Sequence, residues 1–339
     1  MKKIFAILLI STVIFSCKKK DEEAPIEETP TTTGTPVDDS YPDTVWTATG
    51  SGPRLIFKFK FDSTQARLDN FGNPSTVASG NSAYSPKFNQ MAAHYLELAP
   101  GDLTAVGGGQ VLYHAPETSA GGSNAIQFSK SVVVKENVVF FSAPINQITP
   151  GTYKWLRLSL SYQNYDIPYK ANALPGNHIG TGTVASFLGF KTYVPKYKIK
   201  DKDFVPSIPA PVGGPHVNHP QGYWGFETYV PGYPTNNGYW VADGQSSGAT
   251  TVVNPNFTNS PIPAGSCLVT AQFANATGSS NQVLTITGTE TADIIVTVSL
   301  STNKSFEFVD PNGDGYYQPE NLNEWPVDMG IRGMIPKVQ

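Results

Sequence analysis

Leu55-Ile56-Phe57-Lys58-Phe59-Lys60-Phe61 sets three phenylalanines on alternate positions with lysines between them. Successive side chains of an extended chain point to opposite faces. Phe57, Phe59 and Phe61 therefore share one face and Lys58 and Lys60 the other, the pattern of a half-buried strand. A second stretch reads the same way: beyond the Pro150-Gly151 turn pair, Leu156, Leu158, Leu160 and Tyr162 alternate with Arg157, Ser159 and Ser161. These two segments anchor the expectation of an all-β fold.

Weaker segments extend it. Tyr95 to Leu98, Val111 to Tyr113, Ser131 to Phe141, Val184 to Val194 and Gly222 to Val230 each read as strands or hairpin arms, and Phe306 and Phe308 as a short apolar strand. The Thr289-Glu290-Thr291 step between Val283 to Gly288 and Asp293 to Leu300 predicts a hairpin. Val327 to Met334 is expected to add a final edge strand. The best helical segment, Phe88 to Leu98, is brief. The 339 residues include 31 Gly and 28 Pro, both of which interrupt helices and favour many turns. Two antiparallel sheets can bury their apolar faces without helices, so the expectation is an elaborated antiparallel β-sandwich with long loops. The Pro-rich Val205 to Pro220 stretch is either an inserted loop or a boundary; a single domain over 44–339 is preferred.

The formal charge of −4 becomes more negative once Lys2 and Lys3 are removed with a leader, which argues against nucleic acid as a partner. Those lysines precede an apolar run, Ile4 to Phe15, that is too short for a bilayer span of roughly 20 residues and suits a signal peptide. The run ends at Phe15-Ser16-Cys17, which resembles the lipobox of bacterial lipoproteins, in the form found in Bacteroidetes. That resemblance implies a signal peptide over 1–16, a palmitate-bearing lipid on Cys17 and a membrane partner engaged through it. Lys18-Lys19-Lys20-Asp21-Glu22-Glu23 is similar to the surface-export signals of such lipoproteins, which implies an outer-membrane, surface-exposed location; a plain polar flank is the alternative. The Pro-, Thr- and Glu-rich segment to residue 43 lacks apolar mass and reads as a flexible tether. Cys267 is the one other cysteine and reads as a packed free thiol.

The opening strand, the Pro150-Gly151-Thr152-Tyr153 step into Leu156 to Leu160, the Tyr223-Trp224-Gly225-Phe226 segment and the closing Ile294 to Leu300 strand together resemble the MbnP-like family of secreted β-sandwich proteins. The resemblance spans about Leu55 to Phe308 through short motifs. It implies copper handling outside the cytoplasm, in some members beside a di-haem peroxidase-like envelope partner. It carries no copper ligands over to this chain.

Three groups of residues carry candidate chemistry. Asp310, Asn312 and Asp314 stand at positions one, three and five of Asp310-Pro311-Asn312-Gly313-Asp314-Gly315, followed by the Tyr316 carbonyl, Gln318 and Glu320. Hard oxygen ligands at this spacing suit a structural Ca²⁺. Position twelve is Asn321 where a bidentate glutamate is expected, so Glu320, Glu324 or Asp328 must close the shell. An acidic turn capping its own backbone amides is the alternative. His216 and His219 are the candidate copper or other transition-metal ligands, in a loop close to Trp224, Glu227 and Tyr229; convergence with a third ligand is required, which His94 could supply only through the fold, and His114 and His178 complete the histidines. Tyr223, Trp224 and Tyr229 are candidate surfaces for stacking on a glycan, with loop packing as the alternative. No Ser-His-Asp context, phosphate-cradling glycine loop or HExxH helix is present, so no catalytic residue is assigned. The resulting expectation is a noncatalytic extracellular binding protein for copper or another metal. A carbohydrate-binding or adhesive protein is the alternative.

Overall fold

The computed structural model describes residues 46–69, 72–172, 177–207, 217–246, 262–263, 265–279 and 282–339. Every described residue belongs to the same compact unit of the chain. Among them the only helical pieces are three-residue 3-10 turns, and the rest is strand and loop. No described helix is long and apolar enough to cross a membrane.

Arg54–Asp62 is the central strand of a five-stranded sheet, between Val139–Pro144 and Ile294–Ser301. Leu55, Phe57 and Phe59 are fully buried, as their alternation requires, and Phe61 packs on the rim against Phe88. This sheet is mixed rather than antiparallel. Ile294–Ser301 runs parallel to Arg54–Asp62, and Trp46–Thr47 parallel to Val139–Pro144. Most of the chain lies between the two central strands, and a connection that long lets the second re-enter in the same direction.

The larger sheet has eight strands. Trp155–Ala171 lies between His178–Phe187 and Lys87–Ala99, and also pairs with Cys267–Gln272, all antiparallel. Leu156, Leu158 and Leu160 meet Leu55, Phe57 and Phe59 in one apolar cluster that joins the two sheets. Tyr162 departs from the expected face. Leu160 opposes Ala93 and Tyr162 opposes Ala92, so Ser161 is an extra residue that inverts the alternation. Tyr162 instead enters a second apolar cluster with Phe128, Phe187, Tyr197 and Tyr223, on the opposite face of the sheet.

A four-stranded sheet, ordered Asn218–Pro220, Lys191–Tyr193, Ala125–Gln127 and Glu117–Thr118, supplies residues beside this second cluster. Gly189 shows how tightly its connection packs: a Cβ there would stand 2.3 Å from Cδ1 of Ile126. The strand expected at Tyr95 to Leu98 extends over Lys87–Ala99, taking in the whole of the brief helix candidate, because both its edges are hydrogen-bonded by neighbouring strands. One further expectation is corrected. Leu284–Ile286 and Ile294–Ser301 do not form a hairpin; the first pairs with Gly151–Tyr153 and the second with Arg54–Asp62 and Met334–Val338. Between them Glu290 folds back to accept the amides of Thr287 and Gly288, giving a side-chain-capped turn that separates the partners.

Candidate metal centre

The Lys87–Ala99 strand falls out of step with Trp155–Ala171 at His94. Tyr95 opposes Ser159 and Ala93 opposes Leu160, so His94 is the extra residue of a bulge. Ala93 and Leu96 both lie in the main core, three positions apart instead of two, and the intervening His94 and Tyr95 turn to the other face. Bulges re-aim side chains in this way.

His114 ends the edge strand Gln110–His114 and stands opposite Tyr95. The Ala115 amide then donates to the His94 carbonyl at 2.7 Å. Pro116, with its fixed φ, turns the chain into Glu117–Thr118. The far end of the edge strand is held by buried Glu97, whose carboxylate accepts the amides of Gly107 and Gly109, the Tyr95 hydroxyl and an ion pair from Arg157. Gly109 is required there, since a Cβ would stand 2.2 Å from the Leu98 carbonyl oxygen.

These elements bring three ligand atoms together within 4.8 Å of one another, one each from His94, His114 and Glu117. Nε2 of His94 lies 2.9 Å from Glu117 Oε1, and Nε2 of His114 lies 3.1 Å from the same oxygen. The imidazole rings are 4.8 Å apart, and Phe190 covers His94. His94 is completely buried and Glu117 largely so, whereas the His114 side chain is 36% exposed. One side of the cluster therefore opens to solvent.

No family model, curated protein or solved structure matches the chain. The chemistry of the cluster rests on its geometry alone.

Burial pushes the His94 pKa below its usual value, and the neighbouring His114 acts in the same direction, outweighing the Glu117 hydrogen bond. Burial alone would raise the Glu117 pKa; hydrogen bonds from His114, His94 and Asn124 outweigh it and hold the carboxyl well below its ordinary range. An ionised Glu117 accepts from both rings only when each Nε2 carries hydrogen. Nδ1 of His94 is then an acceptor, and it is buried without a hydrogen-bond partner. Asn124 donates to Glu117 Oε2 and so fixes the carboxylate from behind.

Two imidazoles and one carboxylate form a borderline donor set suited to Zn²⁺, Cu²⁺ or Fe²⁺. Three protein ligands leave coordination positions for water or another molecule on the exposed side. Sequence reading passed over His114-x-x-Glu117, a spacing that could have drawn attention, and the third ligand lies on another strand, aimed by a bulge that alternation does not reveal.

The expected transition-metal pair is placed differently. His216 lies outside the described residues. His219 is buried in Asn218–Pro220 with its ring stacked 4.0 Å from that of Tyr223, and it is not a member of the cluster. The expected stacking surface is also dispersed. Tyr223 is fully buried and donates to Asp243, Trp224 packs against the main core, and only Tyr229 is exposed, at 56%. Adjacent residues of a strand face opposite ways, which removes Tyr223 from any shared platform with Trp224. Cys17 lies outside the described residues. The Cys267 thiol, packed against the core, is pushed up to about 12 by burial, with Asp328 adding to the effect.

The acidic loop closes on itself. Asp310 Oδ2 accepts the Gly315 amide, Asn312 Oδ1 the Asp314 amide and Asp314 Oδ1 the Tyr316 amide. Lys170 and the Gln318 side chain donate to Asp314 Oδ2, and Glu320 accepts the Asn172 amide. Buried Glu324 accepts from the Gln318 amide and from the side chains of Asn312 and Asn321. Burial raises its pKa, with Asp314 and Asp310 adding to the rise.

Proposed function

We propose that this protein binds one divalent first-row transition ion through His94, His114 and Glu117. The observation that carries the reading is the convergence of these three ligand atoms on strand-borne side chains. Unlike a surface cluster of acids, this one includes a fully buried imidazole aimed by a strand bulge. The neutral state of His94 is favoured by burial and the ionised state of Glu117 by its donors, which are the protonation states a metal needs. Copper(II) binds tightest among the divalent ions available to such a set, with zinc the next candidate.

The sheets that carry the site fit a β-sandwich-like scaffold, and the leader ending at Cys17 supports display on the outer membrane by a lipid anchor. In that setting the site binds or delivers metal outside the cytosol rather than catalysing a reaction.

Metal-free full chain titrated with Cu²⁺ and Zn²⁺ by calorimetry tests the reading. One ion per chain is expected at this site, with affinity reduced at least about 100-fold in His114→Ala, a loss larger than the outer-shell range. His114 is partly exposed at the end of an edge strand, so its removal spares the core. Unchanged affinity and stoichiometry in that variant contradict the assignment.

A further inference from the structure

We propose that residues 310–324 bind one calcium ion, with Glu324 as the carboxylate that closes the coordination shell. This inference is independent of the imidazole site.

Two carboxylates in this loop are more than nine-tenths buried, Asp310 at 6% and Glu324 at 3% exposure. Oδ1 of Asp310 has no hydrogen-bond partner, and neither residue forms an ion pair among the described residues. The one lysine bound in the loop, Lys170, lies 2.8 Å from Asp314 Oδ2. Buried charges are stable when paired or when they coordinate a metal, and Asp310 and Glu324 are met by neutral donors only, which leaves their charge without a counter-ion. A divalent cation supplies it.

The donors are all oxygens. Asp310, Asn312 and Asp314 occupy alternate positions, Gly313 and Gly315 take positive φ to wrap the backbone, and the Tyr316 carbonyl and Gln318 follow. Ca²⁺ accepts six to eight such ligands in a flexible shell, whereas Mg²⁺ demands a tighter octahedron. Of the three carboxylates near the empty position twelve, two are engaged elsewhere. Asp328 is held by Arg332 at 2.6 Å and by the Gly330 amide. Glu320 is turned to the Asn172 amide. Glu324 alone folds back over the loop, accepting from the side-chain nitrogen of Asn312 at 3.2 Å and from the Gln318 backbone amide at 2.8 Å. An ion there joins the end of Phe306–Val309 to the 318–325 segment, already linked by the Val309 amide and the Trp325 carbonyl.

The test is calorimetric titration of chelator-treated full chain with Ca²⁺ alone, paired with thermal unfolding. One Ca²⁺ per chain and a higher melting midpoint are expected, with at least a tenfold weaker affinity in Glu324→Gln and no change in His114→Ala. Should Glu324→Gln fail to fold by circular dichroism, Asp314→Asn carries the same expectation at a less buried position. Absence of both calcium heat and a melting shift in the parent chain overturns the proposal. So does parental affinity in the folded variant.

Discussion

Nε2 of His94 lies 2.9 Å from Oε1 of Glu117, 23 positions away along the chain and on a different sheet. The contact exists because a single unpaired residue turns His94 out of the main core, while Pro116 turns the chain back from the edge strand. Stability and chemistry meet at that point: Lys87–Ala99 is buried from Met91 to Ala99, and the side chain it turns out at His94 is a metal ligand type.

The outer contact from Asn124 gives a graded prediction. Asn124→Ala leaves all three ligands in place but frees the carboxylate of Glu117. Affinity for Zn²⁺ is expected to fall by about tenfold, at the lower end of the usual loss for an outer-shell partner. Glu117→Gln, which removes a ligand charge, is expected to cost more than Asn124→Ala in the same titration.

Acidification follows from the two shifted groups. His94 has a folded pKa below its usual 6.5, so its neutral form contributes stability above that value and the contribution is lost as pH falls through the folded pKa. Glu117 is likewise depressed from 4.5, so its contribution is present above that value and lost at still lower pH. Both act with the same sign. Urea midpoints measured on metal-free protein from pH 7 to pH 4 should therefore fall, and His94→Gln should flatten the upper part of that fall. An equal slope in parent and variant would show that His94 does not titrate as its burial requires.

Glu97 and Arg157 form a buried ion pair beneath the glycine-rich loop, and the arginine also donates to the Thr104 and Ala105 carbonyls. Arg157→Met strands a buried carboxylate and opens the loop that leads to the His114 strand. A loss of about 3–5 kcal/mol is expected in denaturant unfolding, the usual cost of breaking a buried pair.

The core makes a simpler prediction. Phe59 is buried between the two large sheets and its ring lies 5.0 Å from that of Phe140. Phe59→Ala should cost about 3–5 kcal/mol, the cost of truncating a packed aromatic. Lys58→Ala, on the alternate face of the same strand, should change stability by no more than about 0.5 kcal/mol.

The alternation of Leu55 to Phe61 and of Leu156 to Leu160 was legible in the sequence because neither run carries an extra residue of its own: the bulges they meet, at Phe140 and at His94, lie on the partner strands. Tyr162 was not, since the bulge at Ser161 changes which face an even position occupies. The same local physics hid the candidate site: His94 sits in an apolar stretch that reads as core, and nothing in its neighbours announces an unpaired residue. His216 and His219 drew attention through short spacing, yet His219 is committed to packing on Tyr223. The expected hairpin failed for a different reason, because strand pairing is decided by distant partners and not by the length of the intervening turn.

Anomalous diffraction from crystals of the zinc-loaded chain tests the central claim most directly. The account predicts a metal peak about 2.0–2.1 Å from Nε2 of both His94 and His114, with a Glu117 oxygen completing the protein ligands. A fully occupied zinc peak elsewhere, with the His94 and Glu117 side chains still hydrogen-bonded to each other, would contradict it.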